Sequence, residues 1–181
     1  MHKEDSELLL EFSDEKTRES AFTQILKKYQ ERLYWHIRRF LVSHDDTNDV
    51  LQNMFIKVWK GLDNFREDSQ LYTWLYRIAT NECLSYLEQQ KKRSHISMTD
   101  MEDYLGNQLK SDLNFDANKL EWKLQVAIHK LPERQKLVFN LRYYDEMPYQ
   151  QMSQILDTSE GALKASYHHA AKKVEDYIRN H

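Results

Sequence analysis

The segment from residue 65 to residue 81 carries side chains that could hold an unpaired nucleobase. Tyr72, Trp74 and Tyr76 occupy alternate positions, so the three rings cannot share one face of a helix, and we expect at least one to point away from the core. An exposed ring can stack on a base while polar neighbours bond to its edge. Those neighbours are Arg66, Asp68, Ser69, Gln70, Arg77 and Asn81. Ordinary core packing is the alternative interpretation of each ring.

A second segment, near the carboxyl end of the chain, has the pattern of a helix-turn-helix. Residues 149–156 have helical apolar spacing, residues 157–159 predict a turn, and Ser159 with Glu160 begins a last helix. In this motif the second helix enters the major groove of DNA. Its predicted outer face carries Lys164, Ser166, His168, Lys172 and Lys173, which can meet phosphates and base edges. A helical hairpin with a solvated charged face is the alternative.

A third set of residues is suited to contact with a protein. Asp49, Gln52, Asn53 and Ile56 lie on the predicted outer side of one helix and combine a carboxylate, two amides and an aliphatic group. Such a face suits docking against a partner helix. A polar solvated face with one stray apolar residue is the alternative.

Catalytic and metal-binding patterns are not found in the sequence. His168 and His169 are adjacent, and so do not have the three- or four-residue spacing of helical zinc ligands. Asp45, Asp46 and Asp49 are interpreted as capping and docking groups, and no glycine-rich phosphate loop is present. We therefore predict a protein that is not an enzyme and uses no metal or cofactor.

Composition predicts an all-α fold. The 181 residues are 40% hydrophobic and include only three glycines and two prolines, so few residues interrupt helices. We predict two small helical domains at residues 1–93 and 118–181, joined by a flexible acidic linker at 94–117 with a short helix near 100–109. The predicted helices cover about residues 20–42, 47–61, 71–90, 118–131, 133–144, 149–156 and 159 onward. Cys83 is predicted to lie in the core.

Charge is distributed unevenly along the chain. The formal net charge is −3, and the acidic excess is concentrated between residues 94 and 121. Because phosphate neutralisation supplies most non-specific affinity for DNA, we expect weak binding to free DNA and dependence on a partner with its own positive surface. The sequence has neither a signal-peptide pattern nor an apolar run long enough to span a membrane, which predicts a cytoplasmic protein without membrane insertion.

Taken together, these motifs resemble the extracytoplasmic-function (ECF) sigma factors of the sigma-70 family. Residues 49–59 resemble the family's Asp-x-x-Gln-x-x-Phe-x-x-x-Trp segment, and the run from Phe65 to Asn81 resembles its promoter-melting segment. In the second domain, Leu131-Pro132-Glu133 and Gly161-Ala162-Leu163-Lys164 resemble the Leu-Pro-x-x-x and Gly-Thr-Val-Lys signatures. The resemblance extends from about residue 22 to residue 177.

The resemblance implies a subunit that directs core RNA polymerase to promoters. Docking on clamp helices of the polymerase would use Asp49, Gln52, Asn53 and Ile56. Capture of a flipped base from the melted minus-ten strand would use Phe65, Arg66, Asp68, Ser69, Gln70, Tyr72, Arg77 and Asn81. Contact with the duplex minus-thirty-five element would use Ser159, Glu160, Lys164, Ser166, His168 and Lys172. The linker would thread through the polymerase, and a membrane-associated anti-sigma factor would hold the protein inactive.

This chain departs from the family pattern at several positions. Glu67 stands where glycine is frequent, and Ser166, His169 and Ala171 stand where arginine is common. Two other functions fit parts of the sequence. One is a stand-alone helix-turn-helix regulator whose first domain senses a ligand or dimerises, and the other is a decoy, similar to an anti-sigma factor, that binds polymerase without supporting transcription.

Overall fold

The computed structural model describes residues 3–93 and 119–181, which form eight α-helices and no β-strand. The all-α prediction is confirmed. The helices are α1 (Asp5–Ser13), α2 (Arg18–Leu41), α3 (His44–Gly61), α4 (Leu71–Arg93), α5 (Lys119–His129), α6 (Glu133–Tyr143), α7 (Tyr149–Leu156) and α8 (Glu160–Asn180), with a 3-10 helix at Leu62–Asn64. The predicted linker and its short helix near residues 100–109 lie outside the described residues.

Capping groups and prolines set the helix boundaries. The Ser43 hydroxyl accepts a hydrogen bond from the Asp46 amide at the start of α3, and Ser159 does the same for the Ala162 amide at the start of α8. Pro132 and Pro148 immediately precede α6 and α7. Because these signals are local, the sequence predicted these starts to within a few residues.

The first helix was not predicted from the sequence. Helix α1 is only nine residues long and its Leu8-Leu9-Leu10 run has no helical period, although Leu8 and Phe12 are buried. Contacts to α2 hold it in place, since Asp5 accepts hydrogen bonds from Lys28 and Tyr29 at 2.8 Å or less. Burial, and then the Asp5 carboxylate, raise the pKa of the Tyr29 hydroxyl.

Helices α1 to α4 form the first module. Residues at three- and four-residue steps on α2, α3 and α4 meet in a common core, including Ile25, Leu33, Met54, Val58 and Leu75. Cys83 is buried in the same core, as predicted, and burial raises the pKa of its thiol. The core thus fixes which faces of α3 and α4 point outward.

Helices α5 to α8 form the second module, which packs directly on the first. Its own core includes Ile128, Phe139, Ala170 and Val174. A further row of apolar side chains from α6, α7 and the turn between them joins the core of the first module: Leu137, Leu141, Met147, Met152 and Ile155. The two modules therefore share buried surface, in addition to their connection through the chain.

Candidate nucleic-acid and partner interfaces

The predicted docking face lies on the solvent side of α3. Asp49, Gln52, Asn53 and Ile56 are all exposed, and Ile56 retains 47% of its accessible surface. They project outward because the opposite side of the helix places Val50, Met54 and Val58 in the core. The structure brings the four predicted residues together on one face.

An apolar groove runs beside this face and was not recognised from the sequence. Its walls combine half-buried side chains of α2 and α3 around a cavity of about 650 Å³: Phe22, Leu26, Leu51, Phe55 and Trp59. The Phe22 and Trp59 rings meet edge to face with centroids 4.9 Å apart. The available signal was a second apolar row on each helix, offset from the row that enters the core.

The amino-terminal end of the loop of residues 65–70 is held by contacts on two sides. The Arg18 guanidinium donates to both carboxylate oxygens of Asp63 at 2.7 and 3.3 Å, and to the Phe12 carbonyl at 3.1 Å. On the other side, the rings of Phe65 and Trp74 pack with centroids 5.1 Å apart. These contacts leave Arg66, Asp68 and Gln70 exposed and Ser69 partly exposed.

Glu67 adopts a left-handed backbone conformation, with φ 56°. This is the position where the sequence departs from a frequent glycine, and glycine is the residue that adopts positive φ without steric cost. The departure therefore puts a strained residue in the predicted base-capture loop.

The expectation that an aromatic ring of α4 would be exposed is wrong. Tyr76 is fully buried, and Tyr72 and Trp74 are partly buried. The three rings project from the helix in different directions, but each ring packs against other side chains of the protein. Trp74 lies against Phe65 and Tyr76 against Tyr72, while the Arg32 guanidinium sits 5.2 Å from the Tyr72 ring centre. These partners all belong to the first module, so the rings are covered by its loop and by helix α2.

The polar candidates on α4 line two recesses. Tyr72 borders a cavity of about 730 Å³ together with the loop of residues 65–70 and with Lys28 and Arg32 of α2. Arg77 and Asn81 are exposed on another side of α4, where they border a cleft of about 330 Å³ facing the second module. Most of the predicted minus-ten residues therefore line two separate recesses instead of one flat surface.

The helix-turn-helix prediction agrees with the geometry of α7 and α8. Asp157, in a left-handed conformation with φ 49°, ends α7, and Ser159 caps α8. Glu160, Lys164, His168 and Lys172 are exposed along α8, whereas Leu163, Ala170 and Val174 are buried. Ser159 is exposed at the start of the helix.

One predicted residue of α8 does not share the exposed face. Ser166 is partly buried in the 330 Å³ cleft beside Arg77 and Asn81. Lys164 contacts protein as well, with its ammonium 5.6 Å from the centre of the Tyr149 ring. The predicted minus-thirty-five set is therefore divided between open solvent and the contact between modules.

Residues 3–93 and 119–181 contain no group of three or more His, Cys, Asp or Glu side chains that could hold a metal ion. Within the same ranges, no helix is both long and apolar enough to cross a bilayer.

Comparison with known proteins identifies the family of this chain. Residues 25–93 match the family model of sigma-70 region 2, and residues 121–174 match that of sigma-70 region 4. The chain is similar to the ECF RNA polymerase sigma-E factor of Haemophilus influenzae, at 33% identity over 88% of each chain. The chain belongs to the ECF sigma factors of the sigma-70 family. It is likewise similar to the sigma-E factor of Escherichia coli K12, at 31% identity over 89% of this chain and 88% of that protein.

Solved structures support the same fold for this sigma factor. It is similar to CnrH, whose structure was determined in complex with the cytosolic domain of CnrY, with a TM-score of 0.69 and 20% identity over 97% of this chain and 99% of CnrH. It is also similar to RpoE of Bartonella quintana in complex with the anti-sigma factor NepR, with a TM-score of 0.65 and 19% identity over 87% of this chain and 96% of RpoE.

Proposed function

We propose that this sigma factor directs bacterial core RNA polymerase to promoters through three surfaces, two on the first module and one on the second. The observation that carries the proposal is the order of the two family regions, 25–93 and 121–174, together with an exposed α3 face in the first and an exposed α8 face in the second. Its role is specificity and strand opening, and we assign it no catalytic step.

The α3 face is the proposed polymerase contact. Asp49, Gln52 and Asn53 offer polar groups, Ile56 offers exposed apolar surface, and the adjoining groove can receive side chains of a partner helix. An exposed aliphatic residue beside an apolar groove supplies the desolvated centre of such an interface, and the polar residues supply its rim. We therefore extend the predicted docking set to include Phe22, Leu26, Leu51, Phe55 and Trp59.

The loop of residues 65–70 and helix α4 are the proposed minus-ten contact. A base leaving the duplex needs an apolar or aromatic wall and donors or acceptors for its edge. The 730 Å³ cavity provides both, with the Tyr72 ring under Arg32 and with Ser69 and Gln70 at its rim. Arg66, Arg77 and Asn81 extend the polar surface to the neighbouring nucleotides.

Helix α8 is the proposed minus-thirty-five contact. Lys164, His168 and Lys172 recur along its exposed face at four-residue steps, which matches a helix lying in the major groove. Ser159 and Glu160 stand at its amino-terminal end, where a hydroxyl and a carboxylate suit a base edge, the carboxylate as an acceptor. The scarcity of arginine on this helix implies few phosphate contacts, so the polymerase must supply much of the affinity.

The protein is proposed to act in the cytoplasm and to be held inactive by an anti-sigma factor. Two neighbours of the same fold are recorded with CnrY and with the anti-sigma factor NepR, which supports a similar inhibitor for this chain.

Transcription in vitro with purified core polymerase tests the proposal. We expect the protein to co-elute with core enzyme and to support start-site-specific transcription only in its presence. A stand-alone regulator would instead shift duplex DNA unaided at moderate salt, and a decoy would bind polymerase without producing transcripts. Either of these results would overturn the proposed function.

A further inference from the structure

The turn between α6 and α7 places a carboxylate inside the contact between the two modules. Asp145 Oδ1 accepts a hydrogen bond from Arg39 Nη1 at 2.9 Å, and its Oδ2 lies 3.6 Å from His36 Nδ1. The Asp145 side chain is only 9% exposed. Burying a carboxylate is unfavourable unless cations and donors compensate, and here the compensating hydrogen bond comes from Arg39 on α2 of the other module. Among the described residues, Asp145 Oδ2 and His36 Nδ1 have no hydrogen-bond partner. We call Asp145, Arg39 and His36 the latch.

Groups next to the latch take part in the same contact between the modules. The Arg39 guanidinium sits 4.6 Å from the centre of the Tyr144 ring, so one α2 side chain binds two consecutive residues of the second module. His36 is positioned by Thr80 of α4, whose hydroxyl is 3.1 Å from His36 Nε2. The latch is therefore a specific arrangement of charged and polar groups within a largely apolar contact.

The second module also forms walls of both recesses assigned to the minus-ten strand. Across the 730 Å³ cavity from the base-capture loop stand Asp145, Met147, Pro148 and Gln151. Gln151 also donates a hydrogen bond to Gln70 of that loop at 3.4 Å. A strand of several nucleotides needs an open groove along the protein. Residues of the second module therefore narrow the cavity opposite the base-capture loop.

The second recess is closed in the same manner. Arg77 and Asn81 face Asp157, Thr158 and Ser166 across a cleft of about 330 Å³. This places proposed minus-ten residues and a proposed minus-thirty-five residue opposite each other. The second module therefore stands where a strand lying across Arg77 and Asn81 would pass, and Ser166 faces this cleft instead of open solvent.

We propose that the occupant of the minus-ten surface in the free protein is the chain's own second module, held there by the latch. This inference rests on the proposed function, because it concerns access to the surface assigned to the melted strand. The α3 face is free of this contact, since the groove beside it is lined only by α2 and α3 residues. The closed chain therefore presents its polymerase face while its minus-ten surface is restricted, and opening follows docking.

Small-angle scattering of charge variants tests the latch directly. We expect the wild-type chain to have a radius of gyration close to the roughly 16 Å of a compact protein of this length. D145R and R39D each place like charges together and should increase the radius by about 3 Å or more, since separated modules scatter as two bodies. The double variant R39D/D145R restores opposite charges and should return the radius to the wild-type value.

Two controls keep this test decisive. D176R makes the same charge change at an exposed position of α8 and should leave the radius unchanged. Circular dichroism shows whether each variant keeps its helices, and rescue by R39D/D145R excludes simple unfolding. An unchanged radius for a helical D145R, or no rescue in the double variant, would overturn the latch.

Transcription measures the consequence for the minus-ten surface. On a promoter mapped with the wild-type protein and at limiting sigma factor, D145R should raise transcript yield about threefold or more, because a larger fraction of chains is open. A larger radius without a higher yield would overturn the occlusion while leaving the contact established. If no chain supports transcription, the proposed function fails, and the scattering result still decides whether the latch joins the modules.

Discussion

Two faces of the first module differ in what covers them. The α3 face, with Asp49, Gln52 and Ile56, is open to solvent and borders an apolar groove. The α4 side, with Tyr72, Arg77 and Asn81, borders recesses whose far walls belong to the second module. The difference suggests an order of events in which a large protein partner is met first and DNA is contacted after the modules separate.

The chemistry of the two faces supports this order. Asp49 would repel phosphates, whereas the apolar groove beside it offers surface that gains from burial against protein. Arg66 and Arg77 on the other side carry charge suited to a nucleic-acid strand. A chain of net charge −3 gains little from free DNA, so restricting its DNA surfaces before docking loses little binding.

The largest expected effect comes from the open face. D49A/Q52A should weaken binding to core polymerase by about tenfold or more, because truncating central polar residues leaves their partners unpaired. Fluorescence anisotropy with labelled sigma factor would measure the dissociation constant, and thermal unfolding should be unchanged since both side chains are exposed.

A matched pair on the second module provides the control. D176A/N180A also removes one acid and one amide from exposed helical positions, and should bind polymerase as the wild type does. Equal affinities for the two double variants would remove the α3 face from the model and with it the contrast between open and covered faces.

A smaller effect, on transcription, is expected from helix α8 of the second module. K164A/H168A should retain polymerase binding and lose about three- to tenfold in transcription, since two contacts to the upstream duplex are removed. Single-round transcription on the mapped promoter, and on a version with a scrambled upstream element, would measure this. If the defect is as large on the scrambled template, α8 does not act through that element.

Local patterns predicted most of the fold, because caps, prolines and helical periodicity act over a few residues. Ser159 at the start of α8, and Asp157 in the turn before it, were identified in this way. Helix α1 was missed because nine residues give little periodic signal and its stability comes from Asp5 bonding to α2. The formation of α1 therefore depends on a tertiary contact that residue spacing in the sequence does not reveal.

The sequence predicted which candidate residues of α3 face solvent, but not which side chains of α4 and of the turn after α6 are buried. Asp49 and Ile56 face solvent as expected, since the opposite row on α3 enters the core. Tyr76 was a candidate for an exposed ring, yet it is buried beside His36 from α2, with centroids 4.8 Å apart. The contact of Asp145 was not predicted, because nothing in its neighbouring sequence indicates that it will meet Arg39, 106 residues away.

The loop between the two faces offers a test of backbone strain. E67G should raise the free energy of unfolding by about 0.5 to 1 kcal/mol, because relief of the left-handed strain exceeds the extra freedom of glycine in the unfolded chain. D68G, at the next loop position but without positive φ, should not stabilise the protein. Urea unfolding of both variants measures the difference, and equal effects would exclude strain at Glu67.

A last prediction concerns stability in acid. Burial, then Lys136 of the same module and Arg38 of the facing module, lower the pKa of His129. As pH falls below about 6.5, the unfolded chain therefore gains a proton that the folded chain resists, and stability declines by at most about 1.4 kcal/mol per pH unit for one proton. H129Q should reduce this decline between pH 7.5 and 5.5 in urea titrations. H168Q, at an exposed position, should leave it intact, and identical slopes for the two variants would show that His129 is not responsible.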